Sequence, residues 1–306
     1  MNVILLLHIT VLFVFPPFLL GFIGKTKAFF AGRIGPPLLQ PYFDLYKLMR
    51  KASVYSLTAN WIFKAAPMVS TAAILAAGIL MPIASLKPPV QFWGDIILFV
   101  YLFAFARFVI VLAALDTGSS FEGMGASREA TFGCLSEITL FLNLTILALL
   151  SRSLSLSGIF PGGLSSSWSL VGPVLILVVV SLFLILLVEN SRIPIDDPDT
   201  HLELTMIHEV MVLDHSGVDL AYIFYGKAVK LFIFGSMVVS LIFTFKTHNL
   251  WIDTFFFILE MIGLAVLIGI VESTMARLRL NKVPYLLFSA LMFSIIGFII
   301  ILARTI

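Results

Sequence analysis

The chain has 306 residues, of which 60% are apolar and only 12% charged, with mean hydropathy +1.10 and a formal charge of +2. A soluble domain is about 45–50% apolar and about 25% charged. That shortage of charge excludes an ordinary soluble enzyme, a disordered chain and a nucleic-acid binder, and leaves an all-α, polytopic membrane protein. The one cysteine, Cys134, rules out an intrachain disulfide and any centre built on several cysteines.

A helix needs about 20 apolar residues to cross the hydrocarbon. In chain order, eight stretches qualify: 3–23, 61–86, 92–115, 130–150, 170–188, 228–245, 254–271 and 284–302. The first reads as an uncleaved helix, because Lys25 and Lys27 follow it instead of preceding it. Fourteen of the 19 basic residues flank the side reached after the first span, and four flank the other. By the positive-inside rule the first of these is the inner side, so both termini lie outside. The whole chain, 1–306, is expected to be one membrane domain. Its inner connections, 24–60, 116–129, 189–227 and 272–283, are long and polar, and form one elaborate face suited to docking.

Away from the span ends, three charges fall well inside the membrane segments. Arg107 lies deep in the third, Glu137 in the fourth and Glu260 in the seventh. A charge at mid-membrane costs roughly 2.5–3.5 kcal/mol on insertion scales, so it persists by pairing, by facing water or, for a carboxylate, by taking up a proton. Glu137 reads as a proton-path acid. Arg107 cannot release its proton, and reads either as a structural partner or as a gate that holds an anion. Glu260 reads as a structural charge near the outer end of a tilted helix.

From Glu189 to Asp219 the chain holds eight of its 17 acids and three of its five histidines. Asp197-Pro198 is a helix start, since Asp caps and Pro fits the first turn. It predicts a helix over 198–214. Asp196, Asp199 and Glu203 approach one face at intervals of three and four, and His201, Thr205 and His208 line another. The apolar residues between them, among them Met206, Ile207, Val210 and Met211, predict burial between the membrane and a partner. His201, His208 and His215 are seven apart, whereas a zinc helix uses a spacing of four, so no metal site is expected. No glycine-rich phosphate loop appears, and no nucleophile has a placed base. Catalysis within this chain alone is not expected.

Four ordered blocks resemble one family. Gly32-Arg33-Ile34-Gly35-Pro36-Pro37-Leu38-Leu39-Gln40-Pro41 is similar to its first inner loop. Gly125-Ala126-Ser127-Arg128, with Glu137 nine residues on, matches its Gly-x-x-Arg block. Glu189-x-x-Arg192-x-Pro194-x-Asp196, then Glu203-Leu204 and Asp214-His215-Ser216-Gly217, resemble its third inner loop. Arg277-Leu278-Arg279 resembles its Arg-x-Arg after the seventh span. The family joins subunit 1 of respiratory NADH:quinone oxidoreductase with the matching membrane subunit of formate hydrogenlyase and group 4 [NiFe]-hydrogenases. Leu115-Asp116-Thr117-Gly118-Ser119 and the stretch ending in Arg107 look like the hydrogenase branch. His201, Asp214-His215 and Asn281 depart from the quinone branch.

The resemblance implies a membrane anchor, in the cytoplasmic membrane of a prokaryote, for a peripheral arm that carries a [NiFe]-type large subunit and iron–sulfur small subunits. It implies that redox energy passes to antiporter-like membrane subunits through buried acids, and that no cofactor is held here. The expected relay is Glu137, Glu189, Asp196, Glu203 and Asp214. Arg107, Arg128, Arg192, Arg277 and Arg279 are the expected charge partners. Gly35, Pro36, Gln40, Asp44 and Lys47 shape the expected docking loop, although a tight turn alone also demands Gly and Pro. A quinone-binding subunit is the less favoured alternative, and a stand-alone ion transporter is the second.

Overall fold

A computed structural model describes residues 2–56, 59–160, 167–196, 206–243 and 249–305. Its helices are α1 (Asn2–Val14), α2 (Pro16–Phe30), α3 (Gln40–Met49), α4 (Trp61–Leu80), α5 (Asp95–Asp116), α6 (Ser120–Ser151), the short α7 (Leu156–Ile159), α8 (Ser167–Glu189), α9 (Gly217–Ile242), α10 (Leu250–Thr274) and α11 (Val283–Thr305). Seven helices are long and apolar enough to cross a membrane, and α1 with α2 makes a bent pair that can serve as the eighth. The expected first span is therefore broken. The axis turns by 43° where Pro16 and Pro17 enter α2, because proline lacks an N–H and its ring clashes with the preceding turn.

Two helices reach beyond their apolar stretches, both toward the end of the bundle that carries the third connection. At about 1.5 Å per residue, α6 is about 48 Å long, against a hydrocarbon core of about 30 Å. Its inner turns absorb most of the connection expected at 116–129. Likewise α9 begins at Gly217, eleven residues before its expected start at 228. α9 is also the centre of the bundle, with most of its length buried. It packs against α4, α8, α2 and α10, while α11 packs on α8 and α6. Fixed polar contacts hold these neighbours in register. The Thr71 hydroxyl of α4 donates to the Tyr222 carbonyl of α9 at 2.8 Å. Asn143, Ser181 and Ser294 form a fully buried triad joining α6, α8 and α11, with contacts of 2.8–2.9 Å.

The third inner connection departs from expectation. Positions 197–205, with His201 and Glu203, lie outside the described residues. The described part of the expected 198–214 helix is a turn followed by a short 3-10 helix, Glu209–Val212. The Asp196 carboxylate accepts from the backbone N–H of Ile207 (3.0 Å) and His208 (3.2 Å) and fixes this turn. Met206, Ile207, Val210 and Met211 are buried, as expected, but against this chain's own α6 instead of a partner. A Cβ built on Gly125 would sit 2.3 Å from Val210 Cγ1, so only glycine admits that approach.

Candidate functional site

Arg107, on α5, is buried among three carboxylates. Its Nη1 meets Glu137 at 2.6 Å and its Nε lies 2.9 Å from Glu129, both on α6. Its Nη2 pairs with Glu189 at the inner end of α8. Glu189 also accepts from the Ser136 hydroxyl and pairs with Lys230 of α9 at 2.5 Å. Four spanning helices thus converge on one charged cluster. The remaining contacts run inward from it. Glu129 Oε2 lies 3.1 Å from His208 Nε2, His208 Nδ1 lies 3.9 Å from Asp196 Oδ2, and Asp196 Oδ1 pairs with Arg277 at 3.0 Å. Burial alone would push the Asp196 carboxyl up. The nearby His208 ring, with the backbone N–H groups of Ile207 and His208, reverses this and holds it below the usual carboxylate range.

A cavity of about 80 Å³ opens against this cluster, lined by Arg107, Glu129, Glu189, His208, Lys227 and Lys230 among others. One water needs roughly 10–15 Å³ of such space, so several fit. A larger cavity of about 400 Å³ lies between α2, α3, α9 and the third inner connection, where Leu20, Leu45 and Phe224 face Arg192, Glu209 and Lys227. Lys227 pairs with Glu209 at 2.5 Å. Arg192 pairs with Glu272 at 3.3 Å, and Lys27 reaches the other oxygen of Glu272 at the same distance.

The expected relay acids Glu137, Glu189 and Asp196 are brought into this one chain of contacts, and Arg107 and Arg277 are their partners. Glu203 lies outside the described residues. Asp214 is exposed, and its backbone N–H donates to Glu122 at 3.1 Å. Arg128 donates to the Met206 carbonyl at 2.8 Å, holding the third connection on α6. Arg279 is exposed. In the first inner connection, Gly35 has φ +68° and a Cβ there would come within 2.4 Å of the Ala28 Cβ, so the turn itself demands glycine. Pro36, Asp44 and Lys47 are exposed, and Gln40 donates to Asp44 at 2.9 Å.

Glu129, Ser136, His208 and Lys230 belong to the cluster but were not expected there. Glu129, Gly133, Ser136 and Glu137 follow helical spacing along α6, a signal that appears only once the helix is started at Ser120. Chemically, the guanidinium holds its proton throughout. The carboxylates, His208 and water in the cavity can take up and release protons. Among the described residues, no group of three or more His, Cys, Asp and Glu side chains could hold a metal ion.

Known proteins place this architecture. The family model for NADH dehydrogenase matches residues 1–303. The chain is 30% identical to formate hydrogenlyase subunit 4 of Escherichia coli (strain K12), an alignment covering 97% of this chain and 98% of that protein. It is also 30% identical to hydrogenase-4 component C of the same strain, covering 91% and 90%. An NADH-quinone oxidoreductase subunit of Syntrophotalea carbinolica is 26% identical, covering 80% and 76%. The fold is similar to a chain in the membrane-bound sulfane sulfur reductase, an archaeal respiratory membrane complex, with TM-score 0.81 and 20% identity over 97% of both chains. The charged cluster thus sits in a multi-pass membrane protein whose relatives are named as subunits of larger complexes, and the chain belongs to the NADH dehydrogenase family.

Proposed function

We propose that this chain is the membrane-anchor and proton-coupling subunit of a multi-subunit, hydrogenase-type oxidoreductase in the cytoplasmic membrane of a prokaryote. Its inner face docks a peripheral arm bearing [NiFe] and iron–sulfur centres, and its buried acids pass redox energy to antiporter-like membrane subunits. The observation that carries this reading is the Arg107 cluster. It runs from Asp196 in the third inner connection to Glu137 on α6, whose side chain is 32% exposed. A carboxylate left partly exposed on a spanning helix is costly in lipid. It is well placed to hand a proton to a neighbouring subunit. A carboxyl whose proton affinity changes when the docked arm is reduced converts redox work into proton movement.

Glu137→Gln in the assembled complex tests this. Redox turnover should persist while coupled proton movement is lost. Normal pumping would remove Glu137 from the relay. The 400 Å³ cavity lined by Leu20, Leu45 and Phe224 favours a second reading, a quinone-reactive subunit. Quinone-dependent turnover of the complex would establish that reading instead. Ion flux through the chain alone in vesicles, with no redox donor, would make it a stand-alone transporter.

A further inference from the structure

Among the described residues, the side chains joined in the cluster do not balance in charge unless one proton is added. Four carboxylates, Glu129, Glu137, Glu189 and Asp196, face three permanent cations, Arg107, Lys230 and Arg277. An uncompensated buried charge costs several kcal/mol, so the cluster retains a proton. His208 is the member whose residue type changes charge near neutral pH. It also stands between the two halves: Nε2 is 3.1 Å from Glu129, on the Arg107 side, and Nδ1 is 3.9 Å from Asp196, on the Arg277 side. Its Nδ1 is buried and makes no hydrogen bond among the described residues.

The other charges around it among the described residues have partners of their own. Glu209, on its own turn, is paired with Lys227 of α9, and the nearby Arg128 of α6 donates to the Met206 carbonyl. From α8, Glu189 is paired with Arg107 and Lys230.

Building on the relay reading above, we propose that His208 carries the cluster's exchangeable proton and is the bridge by which protons cross between Asp196 and the intramembrane acids. Each passage leaves the ring as it began. The imidazolium gives its Nε2 proton to Glu129 Oε2, the ring turns, and the nitrogen then facing Asp196 takes up the replacement proton. Only protons move, and the cavity of about 80 Å³ beside the ring admits water to complete the path.

Solid-state NMR of the full chain in lipid bilayers, labelled with ¹⁵N-histidine, reads the ring directly. The chain has five histidines, and loss of one signal in His208→Gln assigns it. At neutral pH both His208 nitrogens should appear protonated in the wild type, and Glu129→Gln should return the ring to the neutral form. A neutral His208 in the wild type, or a signal indifferent to Glu129→Gln, overturns the proposal. In the assembled complex, His208→Lys supplies a fixed cation that cannot relay. It should preserve assembly and redox turnover but lose coupled proton movement, as His208→Gln does. Pumping by His208→Lys at the wild-type level would reduce His208 to a structural cation. It would leave the Glu137 test of the relay unaffected.

Discussion

Replacing Gly133 with alanine perturbs the charged cluster without removing any of its members. Gly133 lies on α6 directly beneath the guanidinium of Arg107. A Cβ at this position would be 2.4 Å from Arg107 Nη1 and 2.8 Å from its Cδ and Cζ. Ordinary contact is about 3.5 Å, so the guanidinium must retreat by roughly 1 Å. An arginine in solution would move freely, but this one is fixed by Glu129, Glu137 and Glu189. The shift pulls Nη1 from its 2.6 Å contact with Glu137 and disturbs the 2.9 Å contact with Glu129. Hydrogen bonds to charged groups contribute about 1.5–3 kcal/mol each, and alanine regains about 0.5–1 kcal/mol over glycine within a helix, for a net loss of about 2 kcal/mol. Thermal unfolding of the full chain in detergent measures it. Gly123→Ala is the control, since it lies on the same helix and a Cβ there meets nothing within 4 Å. Gly123→Ala should match or slightly exceed the wild type, and Gly133→Ala should melt lower. Equal melting of the two variants would refute the close packing of Arg107 against α6.

Two further perturbations test the fold on either side of the membrane. His215 stacks on Phe63 with ring centroids 3.9 Å apart, and burial, partly opposed by the charges of Asp219 and Asp214, lowers its pKa from 6.5 to about 4. The unfolded chain therefore binds the proton more readily. Stability is complete above about pH 6.5 and declines toward pH 4, by up to about 3 kcal/mol. His215→Phe keeps the stack and should flatten the acid limb of a melting-temperature profile; an unchanged limb would place the pH dependence elsewhere. At the opposite end of the bundle, fully buried Asp95 accepts from the Ser155 hydroxyl and the Leu156 N–H, both at 2.7 Å. Asp95→Ala should cost about 2–3 kcal/mol and speed proteolysis near Ser155, with Asp95→Asn intermediate; wild-type protease resistance of Asp95→Ala would show that these bonds do not anchor the connection.

The spans were legible because the bilayer imposes a local rule: an unpaired backbone group is costly in hydrocarbon, so a long apolar run must be helix. The rule is blind where a helix continues through polar residues. Hydropathy alone ended the fourth span near Ala130, yet α6 extends back to Ser120 because Glu122 and Glu129 are buried and bonded there. In the same way, the expected span over 228–245 left Lys227 outside it, yet Lys227 and Lys230 both lie within α9, neutralised by Glu209 and Glu189. The helix expected from Asp197-Pro198 does not continue through 206–214, where the Asp196 carboxylate caps a turn instead.

The sequence by itself determined that this is a membrane bundle, and that Arg107 and Glu137 must be compensated, because the insertion cost of a charge belongs to each residue alone. Tertiary structure decided the compensation. Arg107 meets Glu137 from 30 residues away and Glu189 from 82 residues away. His208 enters between Glu129 and Asp196 only because the third inner connection folds onto α6. Burial can be read from a run of side chains, but pairing depends on distances that exist only once the helices have packed.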